Sequence, residues 1–62
     1  MEIIKRIMLE CRYIISLNKN IKELVPIMNL PEKIIYNDIN YYLKEYDYEL
    51  YNRVISVLQK NC

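Results

Sequence analysis

The chain contains no glycine, histidine, tryptophan, phenylalanine or threonine. Each of the first two absences excludes something definite. Without glycine there is no Gly-rich loop whose bare backbone can close on a phosphate. Without histidine, the commonest general base and metal ligand is missing. The length of 62 residues also leaves little interior, since a domain of about 60 residues buries only about 60% of the surface its unfolded chain exposes. A deep catalytic pocket does not fit, and the expectation is a non-enzyme with no cofactor, no metal and no small-molecule substrate. Cys11 and Cys62 are the two cysteines; they form no CxxC pair and offer neither a zinc site nor a disulfide framework. Apolar runs extend only a few residues, too short to span a membrane. Met1-Glu2-Ile3-Ile4-Lys5-Arg6 lacks the uninterrupted apolar stretch of a signal peptide. The expected compartment is a reducing cytoplasm, with Cys11 as a buried thiol on an apolar helix face.

What is present is unusually concentrated: half of the chain is isoleucine, asparagine, tyrosine and lysine. Nine basic and eight acidic side chains give a formal charge of +1. Dedicated nucleic-acid binders are usually more basic, so the overall charge lends that class no support. The first half of the chain is slightly basic and the second slightly acidic, which provides a local patch and no long-range steering field.

The spacing is more informative. Ile3, Ile4, Ile7, Met8, Cys11, Ile14 and Ile15 recur with the helical period and predict a first helix over about residues 2–17. Glu2, Lys5, Arg6, Glu10 and Arg12 are expected mostly on its opposite, solvated side. Asn20 with Glu23 three residues later makes a capping-box pattern, opening a short second helix with Ile21, Leu24, Val25 and Met28 inward. Pro26 lacks the amide that would bond back to residue 22, so that helix should kink or stop near Val25. Asn29 is the residue best suited to a left-handed turn in a chain without glycine. Pro31 suits the opening of a helix, and Glu32 favours the positive end of its dipole. A third helix is expected over 31–44 with Ile35, Ile39 and Leu43 inward and Ile34 and Tyr42 flanking them. Asp47 then caps a fourth, with Leu50, Val54, Val57 and Leu58 inward. No stretch alternates with period two. The expected fold is an all-α, single four-helix domain spanning residues 1–62, containing a helix-turn-helix at about 20–44.

Tyr13-Ile14-Ile15, Lys19-Asn20-Ile21-Lys22, Asn37-Asp38-Ile39 and Leu50-Tyr51-Asn52-Arg53-Val54 give the chain a resemblance to the stage III sporulation protein D family. These are small helix-turn-helix transcriptional regulators of spore-forming bacteria. The resemblance runs without gaps over about residues 13–60. It implies that Tyr13-Ile14-Ile15 closes the first helix, that Lys19 and Lys22 occupy basic positions leading into the helix-turn-helix, and that Asp38 is the acid characteristic of the recognition helix. It also implies double-stranded DNA as the partner. Where the family has a run of the Ser-Lys-Ser-Thr-Val-His-Lys type, this chain has Pro31-Glu32-Lys33-Ile34-Ile35-Tyr36-Asn37. Two cationic positions and a capping hydroxyl are lost there, and an acid is gained at Glu32.

If the third helix reads DNA, Lys33, Tyr36, Asn37 and Asn40 are the candidates for base contacts. Asparagine pairs with adenine, lysine with guanine, and an apolar ring with the thymine methyl. Arg12, Lys19 and Lys22 are the candidates for the phosphate backbone. The competing expectation is a solvated polar face with no ligand. Tyr41, Tyr42, Tyr46, Tyr48 and Tyr51 cluster around the junction of the third and fourth helices. Some should roof the core. Of these, Tyr41, Tyr46, Tyr48 and Tyr51 are also candidates for an interface with a protein partner or a second copy of the chain, since tyrosine is enriched at binding hot spots. The alternative function is therefore a helical interaction module that keeps the fold and does not bind DNA.

Overall fold

The helical period of the first segment is realised in the computed structural model, which describes residues 2–60: α1 runs over Ile3–Leu17. It ends where Asn18 turns left-handed, at φ 56°, and directs its N–H to the Tyr13 carbonyl. The helix α2, Ile21–Met28, opens with both halves of the expected capping box. The Glu23 N–H donates to Asn20 Oδ1 at 2.8 Å, and the Asn20 N–H donates to Glu23 Oε1 at 3.0 Å. Asn20→Ala removes the first of these bonds and should cost about 1 kcal/mol, read as a lowered urea midpoint with unchanged slope.

Of the two outcomes expected at Pro26, a kink or a stop, the stop does not occur: α2 continues through Met28. Proline's fixed φ matches a helix, and the one bond it forgoes leaves the carbonyl of Lys22, an exposed residue at which water can take the bond. The terminator is Asn29, left-handed at φ 57° as expected; its N–H and that of Leu30 both turn back to the Val25 carbonyl.

Pro31 is extended and leads into a continuous helix α3 over 32–46, two residues longer at its end than expected. Its middle, Asp38–Leu43, is wound as a π-helix. The buried residues Ile35, Ile39 and Leu43 follow one another at steps of four. In an α-helix each such step overshoots a full turn by about 40°, so the stripe drifts round the helix while staying on one apolar face. The wider π turn, closed by bonds to the fifth residue back, reduces that drift between Ile39 and Leu43. Asp47 then breaks the helix and caps α4, Tyr48–Lys60, by accepting from the Leu50 N–H at 3.1 Å.

The domain is all-α, with four helices and no strand among the described residues. Ile7, Cys11 and Ile14 of α1, Leu24 of α2, Ile35, Ile39 and Leu43 of α3 and Val54 of α4 form the buried core. α1 packs against α2, the π-wound middle of α3 and α4, while α2 packs against the first turns of α3. Leu50, Val57 and Leu58 are half-buried and close the core from α4. No helix among the described residues is long and apolar enough to cross a membrane. Cys62 and Met1 lie outside the described residues.

Candidate nucleic-acid interface

Ile35 and Ile39 face the core, and that fixes what the opposite side of α3 presents. Lys33 is exposed and the Tyr36 ring is 49% exposed. Asn37 and Asn40 are half-buried at the border of the same face. The Asn40 Nδ2 donates to the Tyr36 carbonyl at 3.0 Å, which holds its amide along the helix. For Asn40 to read adenine bidentately this bond must first break, so Lys33, Tyr36 and Asn37 are the better-placed candidates of the four.

The basic candidates are distributed over two helices and the turn between them. Lys22 is exposed on α2. Lys19 is half-buried and its Nζ lies 3.8 Å from Glu23 Oε2. Such a solvated pair is worth at most about 1 kcal/mol, so Lys19 can exchange it for a phosphate. Arg12 is exposed and borders, with Leu9, Tyr13, Ser16 and Leu17, a shallow groove of about 390 Å³ along α1.

The tyrosines divide. Tyr41, Tyr42, Tyr46 and Tyr48 are between 53% and 62% exposed. Tyr51 is half-buried and packs on the core, so it roofs the interior and is not a free interface ring. Tyr48 stacks on it with ring centres 6.0 Å apart, and the Lys44 ammonium stands 5.7 Å from its centre. Tyr42, expected to flank the core, points largely outward.

A cluster that the sequence reading did not single out joins α1 to α3. Arg6 and Glu10, both expected on the solvated side of α1, face inward: Glu10 is fully buried, and the Arg6 side chain is 24% exposed. The Arg6 guanidinium donates twice to Asp38, Nε to Oδ2 at 2.8 Å and Nη2 to Oδ1 at 2.6 Å. These bonds raise the Arg6 pKa further, with burial opposing them. Asp38 itself is buried, so the acid that the family resemblance emphasises braces α3 from beneath and does not face outward. The signal for Glu10 was present in the spacing: residues 3, 7, 10 and 14 make one helical stripe, and Glu10 is the carboxyl within it.

No family model, curated protein or solved structure matches the chain.

Proposed function

We propose that the protein is a sequence-specific DNA-binding transcriptional regulator of helix-turn-helix type, as its resemblance to the stage III sporulation protein D family implies. The observation that carries this reading is the pairing of α2 and α3 through the short left-handed turn at Asn29, with Lys33 and Tyr36 left exposed on the first turns of α3. In such a unit the first helix lies across the phosphate backbone and the second enters the major groove. Lys22 and Lys19 then neutralise phosphates, Arg12 adds a third contact, and Lys33, Tyr36 and Asn37 meet base edges. With so few cations the binding is weak and its salt dependence shallow.

A mobility-shift titration with AT-rich duplexes at several salt concentrations tests this. Lys22→Ala should weaken all duplexes alike and flatten the salt slope by about one. Asn37→Ala should relax preference at a single base pair, by about 1–3 kcal/mol. Absence of any salt-sensitive binding at micromolar protein sinks the reading.

The exposure of Tyr41, Tyr42, Tyr46 and Tyr48 favours a second reading, in which the α3–α4 corner is an interface for a protein partner or a second copy. Tyrosine gives large contact area at low entropic cost. A concentration-independent monomer mass by light scattering, with no partner engaging this corner, counts against it.

A further inference from the structure

Glu10 sits between α1 and α3 with both carboxyl oxygens buried and, taken as a carboxylate, with no donor to accept from. Its nearest cation, the Arg6 Nε, is 3.9 Å away and is already engaged by Asp38. Two carboxylates against one guanidinium in a dry site leave one charge uncompensated, and an uncompensated buried charge is the costliest arrangement available. A proton on Glu10 removes the difficulty, because the neutral acid becomes a donor and the Asp38 carboxylate, held by the same guanidinium, is the acceptor beside it.

We propose that Glu10 is a positioning residue for α3: as a neutral acid it donates to Asp38, and this bond keeps the Arg6–Asp38 brace engaged and the outward face of α3 seated on α1. The consequence for DNA rests on the reading that α3 contacts it. When the proton leaves to solvent, the brace carries two anions and α3 loosens from α1.

The electrostatics agree with the geometry. Burial, followed by the bond to Asp38 and its charge, pushes the Glu10 carboxyl up to about 9 from an ordinary 4.5, with Arg6 opposing. The charges acting on it are Asp38 from α3 and Arg6 from its own helix; among the described residues none from α2 or α4 does so. The Cys11 thiol beside it is pushed up to about 12, first by burial, so it stays neutral through the relevant range. Tyr42 of α3 lies near Arg6 and acts on it. Because Glu10 binds its proton more tightly in the folded chain, the folded state holds one proton more than the unfolded state between those two values. Stability therefore falls as pH rises across that window, with the unfolding constant growing by up to about tenfold per pH unit.

The test compares the wild-type chain with Glu10→Gln and Glu10→Leu. Glutamine keeps the shape and an N–H donor toward Asp38 and has no proton to lose; leucine fills the space and donates nothing. Urea unfolding over the alkaline side of neutrality should show a wild-type stability that falls with pH and a glutamine variant whose profile is flat by comparison. The side-chain carboxyl carbon of Glu10, followed by NMR in the folded protein, should titrate far above the ordinary carboxylate range. α3 amide shifts should be native-like in the glutamine variant and displaced in the leucine variant. Duplex affinity should fall at high pH in the wild type relative to Glu10→Gln, which carries the same lysines and tyrosines. Titration of Glu10 near its ordinary value, or one pH profile shared by wild type and Glu10→Gln, overturns the proposal. Leucine matching glutamine at α3 also overturns it, because space-filling would then suffice. If neither protein binds a duplex at any pH, the DNA reading fails, while the carboxyl titration and the unfolding profiles still decide the role of Glu10.

Discussion

Asp38→Ala is expected to remove a large share of the domain's stability. The substitution strips the Arg6 guanidinium of the two bonds at 2.8 and 2.6 Å that now satisfy it. Removing one partner of a buried pair typically costs about 3–5 kcal/mol, and the cost here sits at the low end because the Arg6 guanidinium left behind is 24% exposed and regains part of its hydration. A chain of this length holds roughly 3–9 kcal/mol in total, so the loss is a large share of it. Glu10 moderates it: with the Asp38 charge gone, the influence that raises Glu10 is reduced, and its carboxyl, 3.9 Å from the Arg6 Nε, can ionise and take over part of the pairing. The loss should therefore lie toward the lower end of the range and shrink as pH rises. Asp38→Asn, which keeps the shape and one acceptor oxygen, should fall between the two. Replacing both partners together, Arg6→Met with Asp38→Leu, should recover most of the stability, as for other buried pairs exchanged for apolar residues of similar volume. Urea denaturation followed by far-UV circular dichroism reads all of these. An Asp38→Ala midpoint equal to that of the wild type would show that the brace carries no stability.

Most of the scaffold was legible because it is set by local chemistry. The capping box at Asn20 and Glu23, the left-handed Asn29 and the Asp47 cap each depend on residues within a few positions of one another. So does the inward placement of Ile7, Ile14, Ile35, Ile39 and Leu43. Two features needed information from farther away. The π winding of 38–43 is not encoded by the step of four among core-facing residues, which α4 shows at Leu50, Val54 and Leu58 in an ordinary α-helix; it arises where α3 packs against both α1 and α4. The survival of α2 past Pro26 depends on where the forgone bond falls, and Lys22 is exposed there.

The site was legible in a different proportion. Exposure of Lys33, Tyr36 and Lys22 follows from helical phase once the core residues are known. The back-bond of Asn40 to the Tyr36 carbonyl is a competition between side chain and backbone that spacing alone does not decide. Arg6, Glu10 and Asp38 were hidden by a general rule: charged residues are rarely buried. The rule fails here because Arg6 and Asp38, 32 positions apart in the chain, pair with each other and Glu10 lies 3.9 Å from the same guanidinium, and no local pattern encodes such a meeting.

Ile39→Ala should produce a loss of similar size, about 2–5 kcal/mol, in the same denaturation experiment. Ile39 is fully buried in the π-wound segment, directly after Asp38, and that segment packs against both α1 and α4. Truncation leaves a cavity that the surrounding helices fill only in part, because α3 cannot move inward without straining the Arg6–Asp38 bonds. Tyr41→Ala and Tyr46→Ala provide the contrast. Both rings are exposed, at 62% and 59%, and surface substitutions of this kind usually stay within about 0.5 kcal/mol. If the tyrosine variants keep the wild-type midpoint while Ile39→Ala loses it, the rings do not hold the fold together and are free to meet another molecule. If Tyr41→Ala and Tyr46→Ala destabilise the domain as Ile39→Ala does, the rings are part of the roof of the core, and the interaction reading loses the observation on which it stands.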